Sequence, residues 1–239
     1  GLGDVYKRQN ICFFFSHGKQ DQVPFGKGNG IGTVNPKLWN DWPDNDIRKK
    51  ATIYYAYDSD EMKWVSGYKT FNNTIQETGY WPKKYVAINV YKNGQVTPND
   101  PKNMVNMSVE LYGCASNYQQ DNSTDIMIIR FSDVLLMAAE LGAPKAQEYF
   151  DRVRNRVGLG TLPVTLDNIK AERRWEFACE GIRYWDLMRW GDLEEAIATN
   201  MSNIPITSLG VKTTLTVKYR PETRGFQPCL LYTSPSPRD

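Results

Sequence analysis

Four acids, Glu172, Glu176, Glu180 and Asp186, are interleaved in one short stretch with four arginines, Arg173, Arg174, Arg183 and Arg189. Closely spaced carboxylates can act as acid and base, or acid and nucleophile, in glycoside hydrolysis. That chemistry needs one carboxyl kept protonated, or poised, in an apolar setting. Guanidinium groups work against this, because they hold carboxylates ionised and fill their acceptor sites, often through a bidentate fork. The balance of acids and arginines therefore favours a structural ion network that fixes helix docking over a catalytic pair of Glu176 with Glu180 or Asp186. The residues assigned to this network are Glu172, Arg173, Glu176, Glu180, Arg183, Asp186 and Arg189.

These side chains must be carried by helices. Asp167 is a natural N-cap, Gly181 can end the helix it opens, and Cys179 then falls inside that helix as a small buried hydrophobe. Counting from Ile169 as the core-facing start, the stripe contains Glu172, Arg173, Glu176, Phe177 and Glu180, so charge falls on the face that should be buried. A second helix, Ile182–Trp190, is stopped by Gly191. Upstream, Phe131, Val134, Leu135 and Ala138 repeat at helical spacing up to Gly142. From Pro144, Ala146, Tyr149, Phe150, Val153 and Val157 do the same up to Gly158. So short a link makes the two helices antiparallel neighbours. Ala146 and Phe150 match the second-helix spacing of a tetratricopeptide-like repeat, a unit that cannot bury its apolar face alone.

Residues 10–127 show little helical period. Pro36 opens a short helix closed by Pro43, Asp44–Lys50 is a polar turn, and 51–57 and 85–91 read as strands, the second ended by the Asn93-Gly94 turn. The intervening Asp58–Pro82 and Val96–Asp125 are long polar loops. The acids Asp41, Asp44 and Asp46, and Asp58, Asp60 and Glu61, lack the spacing of a calcium loop and read as solvated turns. Gly26–Gly32 fits neither a dinucleotide nor a phosphate loop, and the chain has one histidine, His17, so neither a cofactor nor a histidine-rich metal site is signalled. Cys12, Cys114 and Cys179 form no zinc or disulfide pattern. A net charge of +2 without a basic block argues against nucleic acid, and the longest apolar run, Ile11–Phe15, is far too short to span a membrane.

Three motifs in order, residues 128–140 (IIRFSDVLLMAAE), 153–159 (VRNRVGL) and 172–191 (ERRWEFACEGIRYWDLMRWG), resemble the SusD/RagB family of outer-membrane nutrient-binding lipoproteins. Residues 224–228 resemble the run before that family's C-terminal end. The resemblance implies a mainly α fold, a tetratricopeptide-like helical scaffold with long loops and a few short strands. It implies a non-catalytic, surface-exposed protein that captures glycan for a SusC-like TonB-dependent transporter, with a lipid anchor absent from this segment. Residues 10–127 would be the loop-rich, ligand-facing part of one domain and 128–228 its C-terminal helical part, while 1–9 and 229–239 resemble translated sequencing-adapter DNA. No ligand-binding residue carries over by motif. Sugar rings are commonly held by aromatic stacking, which makes Trp39, Trp42, Trp64, Tyr68 and Trp81 the candidates. A glycoside hydrolase and a protein-binding repeat scaffold remain the alternatives.

Overall fold

The computed structural model describes residues 32–55, 76–84, 89–91, 104–106 and 127–225. The elements run α1 (Pro36–Asp41), α2 (Arg48–Thr52), β1 (Ile53–Tyr55), β2 (Tyr80–Pro82), β3 (Asn89–Tyr91), β4 (Met104–Asn106), α3 (Phe131–Glu140), α4 (Ala146–Asn155), α5 (Leu166–Glu176), α6 (Arg183–Trp190), α7 (Leu193–Asn200), β5 (Ile204–Ser208) and β6 (Val211–Leu215). The fold is mainly helical, and its strands form three short antiparallel pairs, β1 with β2, β3 with β4 and β5 with β6. No helix among the described residues is long and apolar enough to cross a membrane.

The main core lies where α3, α4 and α5 meet: Leu135, Leu136 and Ala139 pack with Phe150, Val153, Ile169 and Phe177. The α3–α4 hairpin forms as its spacing requires, with Gly142 and Gly158 left-handed just beyond the two helix ends. The α3 stripe, however, is turned by one residue from the expected one. Phe131 and Val134 are 59% and 46% exposed, whereas Leu136 is fully buried. The helix is apolar on two faces, with Phe131, Val134 and Met137 on the outer one, so spacing alone does not choose its phase.

Two boundaries of α5 also differ from expectation. Thr165, not Asp167, is the N-cap, its hydroxyl accepting the Asn168 N–H at 3.2 Å. Asp167 sits instead in the first turn, where the helix dipole favours a negative charge. The helix ends at Glu176 rather than Gly181. The Glu176 carbonyl accepts from Arg130 and from the Lys84 amine (3.1 Å), so side chains cap it where the helix would otherwise continue. Cys179 therefore lies in a turn with φ +64°, not in a helix, and burial pushes its thiol up to about 11.

A second cluster joins the upstream segment to the end of α5: Val34, Trp42, Ile53 and Ala178, flanked by Trp39 and Trp175. Trp42 and Trp175 stack at 5.2 Å, and burying a large apolar side chain contributes roughly 1.5–3 kcal/mol. Pro36 opens helix α1, as expected, and the Asn35 side chain caps it. The polar turn and the start of the following strand are instead helix α2, because the Asp46 carboxylate accepts the Arg48 N–H at 3.0 Å and nucleates a turn. Strands β2 and β4 lie inside stretches expected to be loop, while Asn93-Gly94 falls outside the described residues. The β5–β6 hairpin, which the sequence does not announce, turns on Leu209-Gly210 with φ +49° and +81°.

Candidate functional site

The acidic stripe of α5 does face inward. Glu172 and Glu176 are each 1% exposed and share one guanidinium: Arg48 Nη1 donates to Glu172 Oε1 at 2.6 Å and to Glu176 Oε2 at 2.7 Å. The rest of Arg48 is turned to Asp46, at 2.8–3.1 Å. Arg154 from α4 takes the remaining oxygen of Glu172 at 2.7 Å. Glu176 further accepts Arg156 at 2.7 and 2.9 Å, and Arg130. Arg130 continues to Glu180 at 2.8 Å, a carboxylate that Lys84 also reaches. Three separate segments, around Arg48, Arg130 and Arg154–Arg156, thus converge on two glutamates one helical turn apart.

A parallel chain of pairs ties α3 to α6. Arg173 forks onto Asp186 at 2.8 and 3.0 Å and reaches Asp133 at 2.6 Å. Arg189 then bridges Asp186 (2.9 Å) to Glu140, whose other donor is the Trp190 indole at 2.8 Å. Six of the seven residues assigned to the network fall into these two chains. Arg183 falls into neither: it makes a long 3.4 Å contact with the Lys170 carbonyl, and it has no carboxylate within ion-pairing distance among the described residues. Its assignment rested on the balance of acids and arginines within one block. The partners of the α5 glutamates come instead from Arg48, Arg130, Arg154 and Arg156, because adjacent residues on a helix diverge and Arg173 points away from Glu172. Arg130, Arg154 and Arg156 lie in the two shorter family-like motifs, and that is the signal that could have found them.

Electrostatics settles what this cluster can do. Burial raises the Glu176 carboxyl pKa, but hydrogen bonds from Arg130 and Arg48 outweigh it and hold the carboxyl at about 2. The Arg48 and Arg130 guanidiniums are raised by the same pairings, against their own desolvation. The Arg189 hydrogen bond likewise lowers Glu140. A carboxylate fixed in its charged form, with both oxygens occupied, holds no proton to donate and has no free lone pair aimed at a substrate.

The aromatic candidates separate by burial. Trp42 (2% exposed) and Trp81 (0%) belong to the interior, Trp42 stacked on Trp175 with its indole N–H on Asp46 at 3.0 Å, so neither presents a face to a sugar. Trp64 and Tyr68 fall outside the described residues. Trp39 is half-buried and meets Tyr80 at 5.7 Å, and Tyr80 stacks on Tyr55 at 4.5 Å. Lys49 holds its amine 4.8 Å above the Trp39 ring. Tyr55, expected in a strand, and Tyr80, expected in the Asp58–Pro82 loop, thus extend Trp39 into an aromatic face of three half-buried rings. The nearby acids are all engaged: Asp41 with Lys37 and Arg174, Asp44 with Lys49, and Asp46 with Arg48. Asp46 is buried rather than solvated, because Arg48 and Trp42 replace its water. Asp58, Asp60 and Glu61 lie outside the described residues.

These features define a tetratricopeptide-like helical scaffold held by buried ion pairs and carrying a half-open aromatic face. The chain belongs to the SusD family, whose model matches residues 35–237. Among curated relatives, SusD-like protein P38 of Formosa agariphila is 36% identical over 28% of this chain and 17% of its own length. Among solved structures, surface glycan-binding protein A of Bacteroides thetaiotaomicron in complex with laminarihexaose superposes with a TM-score of 0.58 at 28% identity, over 79% of this chain and 38% of that one. A laminarin-binding SusD-like protein superposes with a TM-score of 0.57 at 29% identity, over 80% and 38%. The chain therefore spans well under half the length of these relatives.

Proposed function

We propose that the protein captures a glycan at the cell surface, without converting it, for import through a SusC-like TonB-dependent transporter. The observation that carries this reading is the Trp39–Tyr80–Tyr55 face. Three aromatic rings lie partly open to solvent on rigid elements, α1 and the β1–β2 pair, braced against α5 by buried ion pairs. Such a face offers apolar area to the C–H face of a sugar ring at low conformational cost. Family membership supports the transporter as partner and the outer-membrane surface as location. Residues 10–127 and 128–228 act as one domain in this reading, since Arg48 from the first pairs with Glu172 and Glu176 of the second. Two relatives described as complexed with laminarihexaose or as laminarin-binding make laminarin the first ligand to try. The Glu176 carboxylate, held near 2, supports a non-catalytic role.

The test is electrophoresis of the full-length protein through gels containing laminarin and a panel of other polysaccharides, alongside a reducing-sugar assay. Retarded migration without sugar release is expected, with retardation weakened by Trp39→Ala and by Tyr80→Ala. Unchanged retardation in both variants, each shown to be folded, would remove the aromatic face from the site. Sugar release that disappears in Glu176→Gln would establish a hydrolase instead.

A further inference from the structure

Among the described residues, the arginines with buried or half-buried side chains are consistently paired with carboxylates: Arg48, Arg130, Arg154, Arg173 and Arg174 each lie within 2.6–2.8 Å of an acid oxygen. Arg183 departs from this pattern. Of the nearby acids, Asp186 is committed to Arg173 and Arg189, Asp192 to Lys170, and Asp41 to Lys37 and Arg174, while Asp167 and Glu195 line a second cavity beside Arg183 without pairing to it. Arg183 is left with a long contact to a backbone carbonyl and a place above the Trp190 ring at 5.8 Å. Burial, and then the charge of Arg174, lower its pKa despite the opposing charges of Asp186 and Asp192, so the acids around it compensate its charge only in part.

The same side chain lines a cavity of about 400 Å³ between α1, α6 and α7. Leu38, Leu187, Ile197 and Met201 supply an apolar wall, and the lining cations are Arg183 and the Asp41-paired Lys37 and Arg174. A volume in the range of roughly 300–1,000 Å³ with a mostly apolar wall and a few placed polar groups is the general form of a small-molecule site. A guanidinium without a direct carboxylate partner, its charge offset in part by Asp186 and Asp192, calls for no more than one further negative charge, and its planar fork takes a carboxylate bidentately. The geometry points to a binding site for a small organic monocarboxylate with an apolar body, the carboxylate on Arg183 and the body against Leu187 and Ile197. This site is separate from the aromatic face and does not depend on the glycan reading.

Isothermal titration of the full-length protein with 4-phenylbutyrate, and with the neutral 4-phenyl-1-butanol, tests the assignment. Saturable binding of the acid is expected, at least tenfold tighter than the alcohol. Arg183→Gln should weaken the acid by tenfold or more while leaving the alcohol unchanged, and Ile197→Trp, which fills the cavity, should abolish both. Trp39→Ala should change neither, which separates this site from the glycan face. Absence of acid binding at millimolar concentration would overturn the proposal. So would equal binding of acid and alcohol, or an affinity for the acid that Arg183→Gln leaves intact. Circular dichroism and the melting temperature of each variant establish that it is folded. If Ile197→Trp does not fold, the acid-to-alcohol ratio in Arg183→Gln decides alone.

Discussion

The inner face of α5 and the aromatic face beside α1 are both made of charged groups set among large rings, yet they do opposite things. Around Glu176, four arginine contacts occupy both oxygens of a side chain with no exposure, and Phe177 lies under Arg130 and Arg173. Around Trp39, Tyr80 and Tyr55 the rings are only half-covered, and the nearest charge, Lys49, caps one ring without sealing the group. The contrast shows that burial and saturation, not the kinds of residue present, separate architecture from recognition. A buried charge pairing is retained because removing one partner leaves the other stranded in low dielectric, while a half-open ring keeps area to offer a ligand.

The largest effect should come from the saturated side. Glu176→Gln leaves Arg48, Arg130 and Arg156 facing a neutral amide, and should lower the unfolding free energy of the full-length protein by about 3–5 kcal/mol in denaturant titration. A change below about 1 kcal/mol would erase the distinction drawn between the two regions. Next comes acid. The Glu176 carboxyl is depressed from 4.5 to about 2 in the folded state, so it stabilises the fold fully above its unfolded pKa. That contribution, of order 3 kcal/mol, disappears as pH falls from about 4.5 towards 2. Stability measured across this window should fall more steeply in the wild type than in Glu176→Gln, and equal slopes would contradict the depressed pKa.

Much of this was legible in the sequence, for reasons that can be named. Helical spacing gave the α3–α4 hairpin, and phasing from Ile169 put Glu172, Arg173 and Glu176 on the buried face, where they lie. What spacing cannot give is partnership across the chain. Arg48 is 124 residues from Glu172, and nothing in a local pattern ties Asp46-Ile-Arg48 to a glutamate so far away. The phase of α3 was illegible for a different reason, since apolar residues on two faces fit two stripes equally well. The aromatics could not be sorted from the sequence, because large rings serve core and surface alike; Trp42 is interior through its packing against the end of α5, and Trp81 is fully buried in β2. Tyr55 and Tyr80 face each other solely through strand register, which neither segment specifies alone.

On the half-open side the effect should appear in binding rather than folding. Trp39→Ala should weaken retention of a bound glycan by about 1 kcal/mol, roughly fivefold in Kd. A fivefold loss from Trp42→Phe, with none from Trp39→Ala, would reverse the assignment of inside and outside.

The smallest expected effect tests the comparison most narrowly. Asp41 is paired with Lys37 at 3.0 Å and Arg174 at 2.8 Å, so its geometry is close to that of Glu176. Its side chain is 29% exposed, however, against none for Glu176. Water can solvate either partner when the other is removed, so no charge is stranded. Asp41→Asn should therefore cost no more than about 1 kcal/mol, and that loss should shrink further in 0.5 M salt, where exposed pairs are screened. A loss matching that of Glu176→Gln would mean that distance, and not burial, sets the strength of these pairs.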